Sequence, residues 1–268
     1  MLSPTHPVRY FASFNIRRMS RRVSDQFSGL KFSTIQTQPV CRHNVVSNRS
    51  PIFRNLLGVR HELQANKRCN LEILIPYFNG VVIQPGETFS FWHLAGVPSA
   101  TRGFLTGLVI KGDRPGEGIG GGLCQMSNSI FWCLLHTKLT ITERHRHSFD
   151  LFPDDKRSVP FGLGAAVAWG VKDLRARNDT SAPIQLMVKL DDDDLVVEIF
   201  SEHSLPWRYQ LEERDSKFYK KADGRVFRRN HVIRKEMITG HEAELFVNDF
   251  ECRYNVDEFL IRNINAAP

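Results

Sequence analysis

The stretch Gly116-Glu117-Gly118-Ile119-Gly120-Gly121-Gly122-Leu123-Cys124-Gln125 places five glycines within seven residues and runs straight into a mainly apolar segment ending at Leu135. Glycine lacks the side chain that blocks tight bends and close approach, so the cluster reads as a loop that another group must touch. Residues 123–137 contain neither Gly nor Pro and read as one buried helix, with Cys124 on its first turn. Unpaired N–H groups and the positive end of the helix dipole gather at that turn and favour an anion. A thiol there is expected to have a lowered pKa, which makes Cys124 the leading candidate for chemistry.

Upstream, residues 52–67 read as a helix, and strand signals follow at 71–75 and 81–83. Pro85-Gly86-Glu87 supplies a turn. Phe89 and Phe91 alternate with Thr88, Ser90 and Trp92, as on a strand with one buried face, and a further strand at 103–111 leads to the glycines. Downstream, residues 139–149 keep a period of two that places Ile141, Glu143, His145 and His147 on one side. Residues 165–169 are strand-like, and 184–190 with 195–201 form a hairpin around four aspartates, 191 to 194, which read as a solvated turn. Past His203 the pattern is irregular, with short strands near 225–228, 232–235 and 243–246.

These elements predict an α+β fold: a mainly antiparallel sheet packed on the central helix that follows the glycine-rich loop. The expected organisation is a basic helical arm and linker at 1–49, a core domain at 50–205 and a C-terminal extension at 206–268. An apolar content of 41% over 268 residues is enough for a full core. No segment approaches the roughly 18 to 20 apolar residues needed to span a bilayer, and the N-terminus lacks the apolar region of a secretory signal. Five widely spaced cysteines without a CxxC point to reduced thiols and a cytoplasmic setting.

The net charge of +7 is concentrated at one end. Residues 1–70 carry twelve Lys or Arg against Asp25 and Glu62 alone. Within them Val8, Phe11, Met19, Val23 and Phe27 recur at helical spacing among Arg17, Arg18, Arg21 and Arg22, the pattern of a basic amphipathic helix. Such a helix either lies on an anionic membrane surface or docks its apolar face on the main domain; docking is the simpler expectation. The Arg-rich, acid-poor composition also fits an organellar transit peptide. No zinc-finger spacing or RNA-binding signature accompanies the charge, so nucleic acid is the weaker partner.

A nucleophilic thiol needs a base and donors for the oxyanion. His145 or His147 supplies the first, and Gln125 with the N–H groups of Gly118, Gly120, Gly121 and Gly122 the second. The bland alternative is a small apolar cysteine filling space at a tight loop. Cys124, His145 and His147 also match three ligands of an open zinc site, without a CxxC or HExxH anchor. Gly116, Gly118 and Gly121 satisfy G-x-G-x-x-G, but Gly112-Asp113-Arg114-Pro115 separates them from the strand and no further βα units follow, which argues against a dinucleotide site.

Three motifs then occur in order: Pro85-Gly86-Glu87-Thr88-Phe89-Ser90-Phe91-Trp92, the glycine–cysteine stretch through Met126, and Thr142-Glu143-Arg144-His145-Arg146-His147-Ser148. Joined by Phe161-Gly162-Leu163-Gly164 and Asp173-Leu174-Arg175-Ala176-Arg177-Asn178-Asp179-Thr180, they resemble the VanW family over roughly residues 50–200. The resemblance implies a bacterial protein linked to glycopeptide resistance or cell-wall precursor metabolism. Many relatives carry an Asp where Gly164 stands here. Within that setting the preferred reading is a cysteine-dependent amidase or acyl-transfer enzyme acting on a peptide-like precursor, with Cys124 as nucleophile, His147 or His145 as base, Gln125 at the oxyanion, and Glu143 and Arg144 beside the ligand. The alternatives are a non-catalytic binding protein for such a precursor, needing no cofactor, and a Cys/His zinc hydrolase.

Overall fold

Strands β1 (His43–Pro51), β10 (Asp194–Ser201), β9 (Ile184–Asp191) and β2 (Val81–Ile83) lie side by side in that order as one antiparallel sheet. The computed structural model describes residues 16, 19–21, 23–37, 41–53, 60–111, 114–151, 153 and 159–257. The hairpin of β9 and β10 follows the sequence pattern closely, pairing Asp191 with Asp194 and Ile184 with Ser201. Its acidic turn is partly neutralised by Arg49 of β1, which pairs with Asp191 and Asp194.

Helix α3 (Leu123–Leu135) lies against β1 and β10 and buries Met126, Ile130, Phe131 and Leu134 in the main core. Beside it lies α1 (His61–Phe78), which also contacts β9 of the same sheet, with the short helix α2 (Phe91–Ala95) against α1. A small antiparallel sheet orders β3 (Thr88–Ser90), β8 (Arg175–Arg177) and β6 (Thr140–Glu143). The hairpin of β4 (Thr106–Lys111) and β5 (Arg114–Ile119) stands apart and contacts α1. A meander of β11 (Tyr209–Lys220), β12 (Val226–Glu236) and β13 (Glu242–Cys252) takes β7 (Phe149–Asp150) as a parallel fourth strand. The architecture is α+β with predominantly antiparallel pairing. Among the described residues no helix is long and apolar enough to cross a membrane.

Several expectations need correction. The run at 71–75 is helical: Leu63, Leu71, Leu74 and Phe78 form the buried stripe of α1, and a short apolar run does not by itself distinguish a buried strand from a buried helix. Residues 28–50 are more than a linker, because β1 is an edge strand and Phe32 and Gln36 bridge to Thr88 and Val81. The strand from Thr88 stops at Ser90, whose hydroxyl caps α2 by accepting from the His93 N–H. Residues 206–257 join the rest of the fold, since Val232 belongs to the main core and Asn230 and Asn248 both donate to the Phe161 carbonyl.

The basic arm is also turned around. Ile16, Met19–Arg21 and Val23–Phe27 are helical, while Val8 and Phe11 lie outside the described residues. It is the polar face that docks: Asp25 makes two hydrogen bonds to the Arg175 guanidinium, and Arg21 pairs with Glu143. A charged face can find partners of fixed geometry on the core, and those partners outcompete diffuse apolar contact here.

The glycine cluster has a packing role. Gly116 and Gly118 belong to β5, and only Gly120 to Gly122 form the turn into α3. Gly121 lies flat against Gly107, so that a β-carbon on it would sit 2.5 Å from the Gly107 Cα. Gly122 takes φ 102° against the Lys67 side chain, a conformation that other residues rarely adopt. Gly121→Ala is therefore expected to lower stability by about 1–3 kcal/mol or to prevent folding. Gly118→Ala, which would meet only the Val109 methyl at 3.1 Å, is expected to be milder. Urea denaturation of the two variants compares them directly.

Candidate functional site

Helix α3 begins with polar residues on a buried element, and these hold a neighbouring extended segment in place. Ser127, fully buried, donates to the Ala165 carbonyl at 2.6 Å, and Asn128 Oδ1 accepts from the Ala165 N–H at 2.7 Å. One turn earlier Cys124 hydrogen-bonds the Val167 backbone. Residues 164–167 thus run along the helix from Asn128 back to Cys124. On their far side the Ala166 N–H donates to the His145 carbonyl at 2.7 Å.

His147 reaches this segment at Gly164. A β-carbon there would lie 3.1 Å from His147 Cδ2, 3.8 Å from its Nε2 and 3.6 Å from Asn128 Oδ1. Cys124 and Asn128 are four residues apart on one helix face, so His147 stands beside the face that carries the thiol. No hydrogen bond joins Cys124 to either imidazole among the described residues. His147 and Asn128 therefore meet at Gly164, and the Cys124 thiol lies one turn away on the same helix face.

Both titratable groups rest in their neutral forms. Burial raises the Cys124 pKa, and the Val167 hydrogen bond and the nearby Lys172 ammonium only partly oppose it. The lowered thiol pKa expected at a helix start is thus reversed, because loss of water around the sulfur outweighs the dipole and the positive charge. Burial, with Lys172 and Arg144 adding repulsion, lowers the His147 pKa to about 4.

The other expected residues have different employment. His145 and His147 do not share a strand face, because β6 ends at Glu143. His145 Nε2 lies 2.8 Å from Glu143 Oε1, and Glu143 also accepts from the Asp173 N–H and from Arg21. Burial alone would raise the Glu143 pKa, but these hydrogen bonds together leave it lowered. Arg144 is a clamp: its guanidinium lies over both the Phe131 and Phe246 rings, which also touch each other, and donates to the Gly162 and Gly164 carbonyls. Burial brings its pKa down to about 10.

Gln125 turns to β1, where its Nε2 bonds Ser50 and the Pro51 carbonyl, which engages the donors an oxyanion would need. Of the glycine-loop groups, the Gly120 N–H is spent on the Leu105 carbonyl and the Gly121 carbonyl accepts from Asn70. Among the described residues no three His, Cys, Asp or Glu side chains are grouped to hold a metal ion.

Comparison with known proteins decides the relationship. The family description "VanW like protein" matches residues 66–200. The chain belongs to the VanW family. The vancomycin B-type resistance protein VanW of Enterococcus faecalis is 33% identical over 189 residues, covering 70% of this chain and 68% of that protein. The uncharacterized protein YoaR of Bacillus subtilis is 30% identical over 135 residues, covering 49% of this chain and 42% of its own length. No solved structure matches. The matched VanW region contains Cys124, Asn128, His147, Gly164 and Lys172, so the whole site lies within it.

Asn128 and Lys172 were not singled out by sequence reasoning, and residues 164–167 entered it only as a family motif and a strand-like run. Ser127 and Asn128 did leave a signal, as polar residues three and four positions after Cys124 on an otherwise apolar helix.

The His147 shift fixes the sign of a pH effect. A histidine whose folded pKa lies below its ordinary value near 6.5 binds its proton more readily when unfolded, so stability falls as pH drops from about 6.5 towards about 4. Between pH 7 and pH 4.5 the protein is expected to lose about 2–3 kcal/mol more than His147→Gln, which lacks this proton. Urea denaturation of both proteins at the two pH values measures the difference.

Proposed function

We propose that the protein acts in vancomycin resistance on a peptide-like cell-wall precursor, in the cytoplasm, by cysteine-dependent amide or acyl-transfer chemistry at Cys124. The observation that carries this reading is the placement of a neutral imidazole beside the α3 face that bears the thiol, within the field of Lys172. The neutral imidazole is the form able to take the thiol proton as sulfur bonds to the substrate carbonyl carbon; burial sets the two pKa values against that transfer, so substrate must also change the surroundings of the pair. The imidazolium then returns that proton to the departing amine as the carbon–nitrogen bond breaks. Water or an acceptor amine releases the acyl group from the sulfur and regenerates the thiol. Catalytic hydrogen bonds are often long in a free enzyme, and substrate is expected to close the gap between Cys124 and His147. Five cysteines outside any disulfide support the reducing compartment.

A second reading, a non-catalytic binder of the same precursor, has observations of its own. The Cys124 thiol is raised rather than activated, Gln125 is engaged elsewhere, and Gly164 stands where a carboxylate would orient His147. Incubation with cell-wall muropeptides, followed by intact-protein mass spectrometry, separates the two. An acyl adduct on Cys124, absent in Cys124→Ala and formed at least about tenfold more slowly in His147→Ala, is the expected result. Binding without adduct, unchanged in Cys124→Ala, would transfer the assignment to the binder.

The Gly164 position makes a further test of the same site. Gly164→Asp would set a carboxylate against the His147 ring and is expected to raise the His147 pKa by at least about one unit, as an opposite charge within a few ångströms does. Titration of the imidazole by NMR reads this. The same variant is expected to speed alkylation of Cys124 by iodoacetamide.

A further inference from the structure

The docked arm leaves an apolar stripe facing outward. Ile16, Met19, Val23 and Phe27 are 66%, 68%, 52% and 83% exposed, and their spacing of three, four and four residues sets them along one side of a helix. Arg21 and Asp25 fall on the opposite side and are held by the core: Asp25 on Arg175, Arg21 on Glu143 and the Val171 carbonyl. The helix is thus gripped by its polar face and offers its apolar face to the surroundings. An accidental surface helix would show the reverse arrangement, because exposing large apolar side chains in a row forfeits the burial that normally fixes such a helix.

Charge identifies what covers the stripe. Residues 1–30 contain five arginines and one acidic residue, Asp25; Asp25 is engaged with Arg175 and Arg21 with Glu143, which leaves four arginines against no other acidic residue in that stretch. Apolar side chains interleaved with arginines match a surface that is apolar beneath and negative on top. We propose that the arm helix seats the protein on an anionic lipid bilayer, burying Ile16, Met19, Val23 and Phe27 at the level of the headgroups. Through Glu143, which holds both Arg21 and His145, the seated arm is joined to the segment that carries His147. The site would then stand close to the membrane surface. The inference rests on the arm alone and does not depend on the chemistry of Cys124.

The test is flotation of the full-length protein with vesicles of phosphatidylcholine containing roughly one-third phosphatidylglycerol, and with phosphatidylcholine alone. The expected result is binding to the mixed vesicles, at least about tenfold weaker binding without the anionic lipid, and a loss of at least about tenfold in the double variant Met19→Ser/Phe27→Ser. Both substitutions are on exposed side chains, and an unchanged circular dichroism spectrum and melting temperature would confirm that the fold is kept. Absence of flotation overturns the proposal. So does flotation that the double variant leaves intact, which would assign binding to charge elsewhere on the chain. A lipid-free dimer in sedimentation that the double variant dissolves would give the stripe to a second copy of the protein and also overturn it.

Discussion

The Asp173 carboxylate is completely buried, and a buried charge is tolerated only when its surroundings satisfy it. Four donors do so: Ser90 Oγ at 2.6 Å, the Trp92 N–H at 3.1 Å, the Leu174 N–H at 2.9 Å and Arg175 Nε at 2.9 Å. The donors come from two segments, residues 90–92 and residues 174–175. Ser90 and Trp92 hold the end of β3 and the start of α2, Arg175 opens β8, and the same guanidinium reaches out to Asp25 in the arm. The Asp173 N–H goes to Glu143 at the end of β6. One carboxylate thereby aligns the three strands of the small sheet and sets the attachment point for the arm.

From that anchor the site follows in sequence. Glu143 terminates β6, and the next four residues leave the sheet and cross towards α3, with Arg144 lying over the Phe131 and Phe246 rings. This places His147 over Gly164. From the other direction Lys172, next to Asp173, brings positive charge towards Cys124 and His147. The electrostatic character of the site, two neutral groups under a positive field, is therefore a consequence of where the small sheet ends.

Much of the secondary structure was legible in the chain. The α3 helix, the acidic hairpin, the Pro85-Gly86 turn and the existence of strands near 225–246 all follow from local period and turn chemistry. Misreadings fell where local pattern is ambiguous. Leu71 to Ile75 is apolar in both helix and strand registers, and β1, with Asn, Ser and Arg along it, carries little strand signal because it is an edge strand. The alternation that seemed to pair His145 with His147 runs past the point where β6 loses its partner; side-chain period has no meaning once the ladder stops. Gln125 reads as an oxyanion donor only as long as the chain end of β1 is not known to lie within its reach.

The sequence by itself determined that Cys124 would lie on the first turn of a buried helix behind a glycine turn, that the chain would belong with VanW, and that Met19, Val23 and Phe27 would share one face of a helix. These are properties of neighbouring residues and of motif order. Which way that helix faces, whether the thiol is activated or quieted, and which imidazole reaches the segment packed on α3 were decided only by tertiary structure. The ion pair that orients the arm joins residues 150 positions apart, and the burial that sets the Cys124 and His147 pKa values is made by segments distant in the chain. A local pattern records what a residue prefers, whereas its solvation and its partners are properties of the assembled fold.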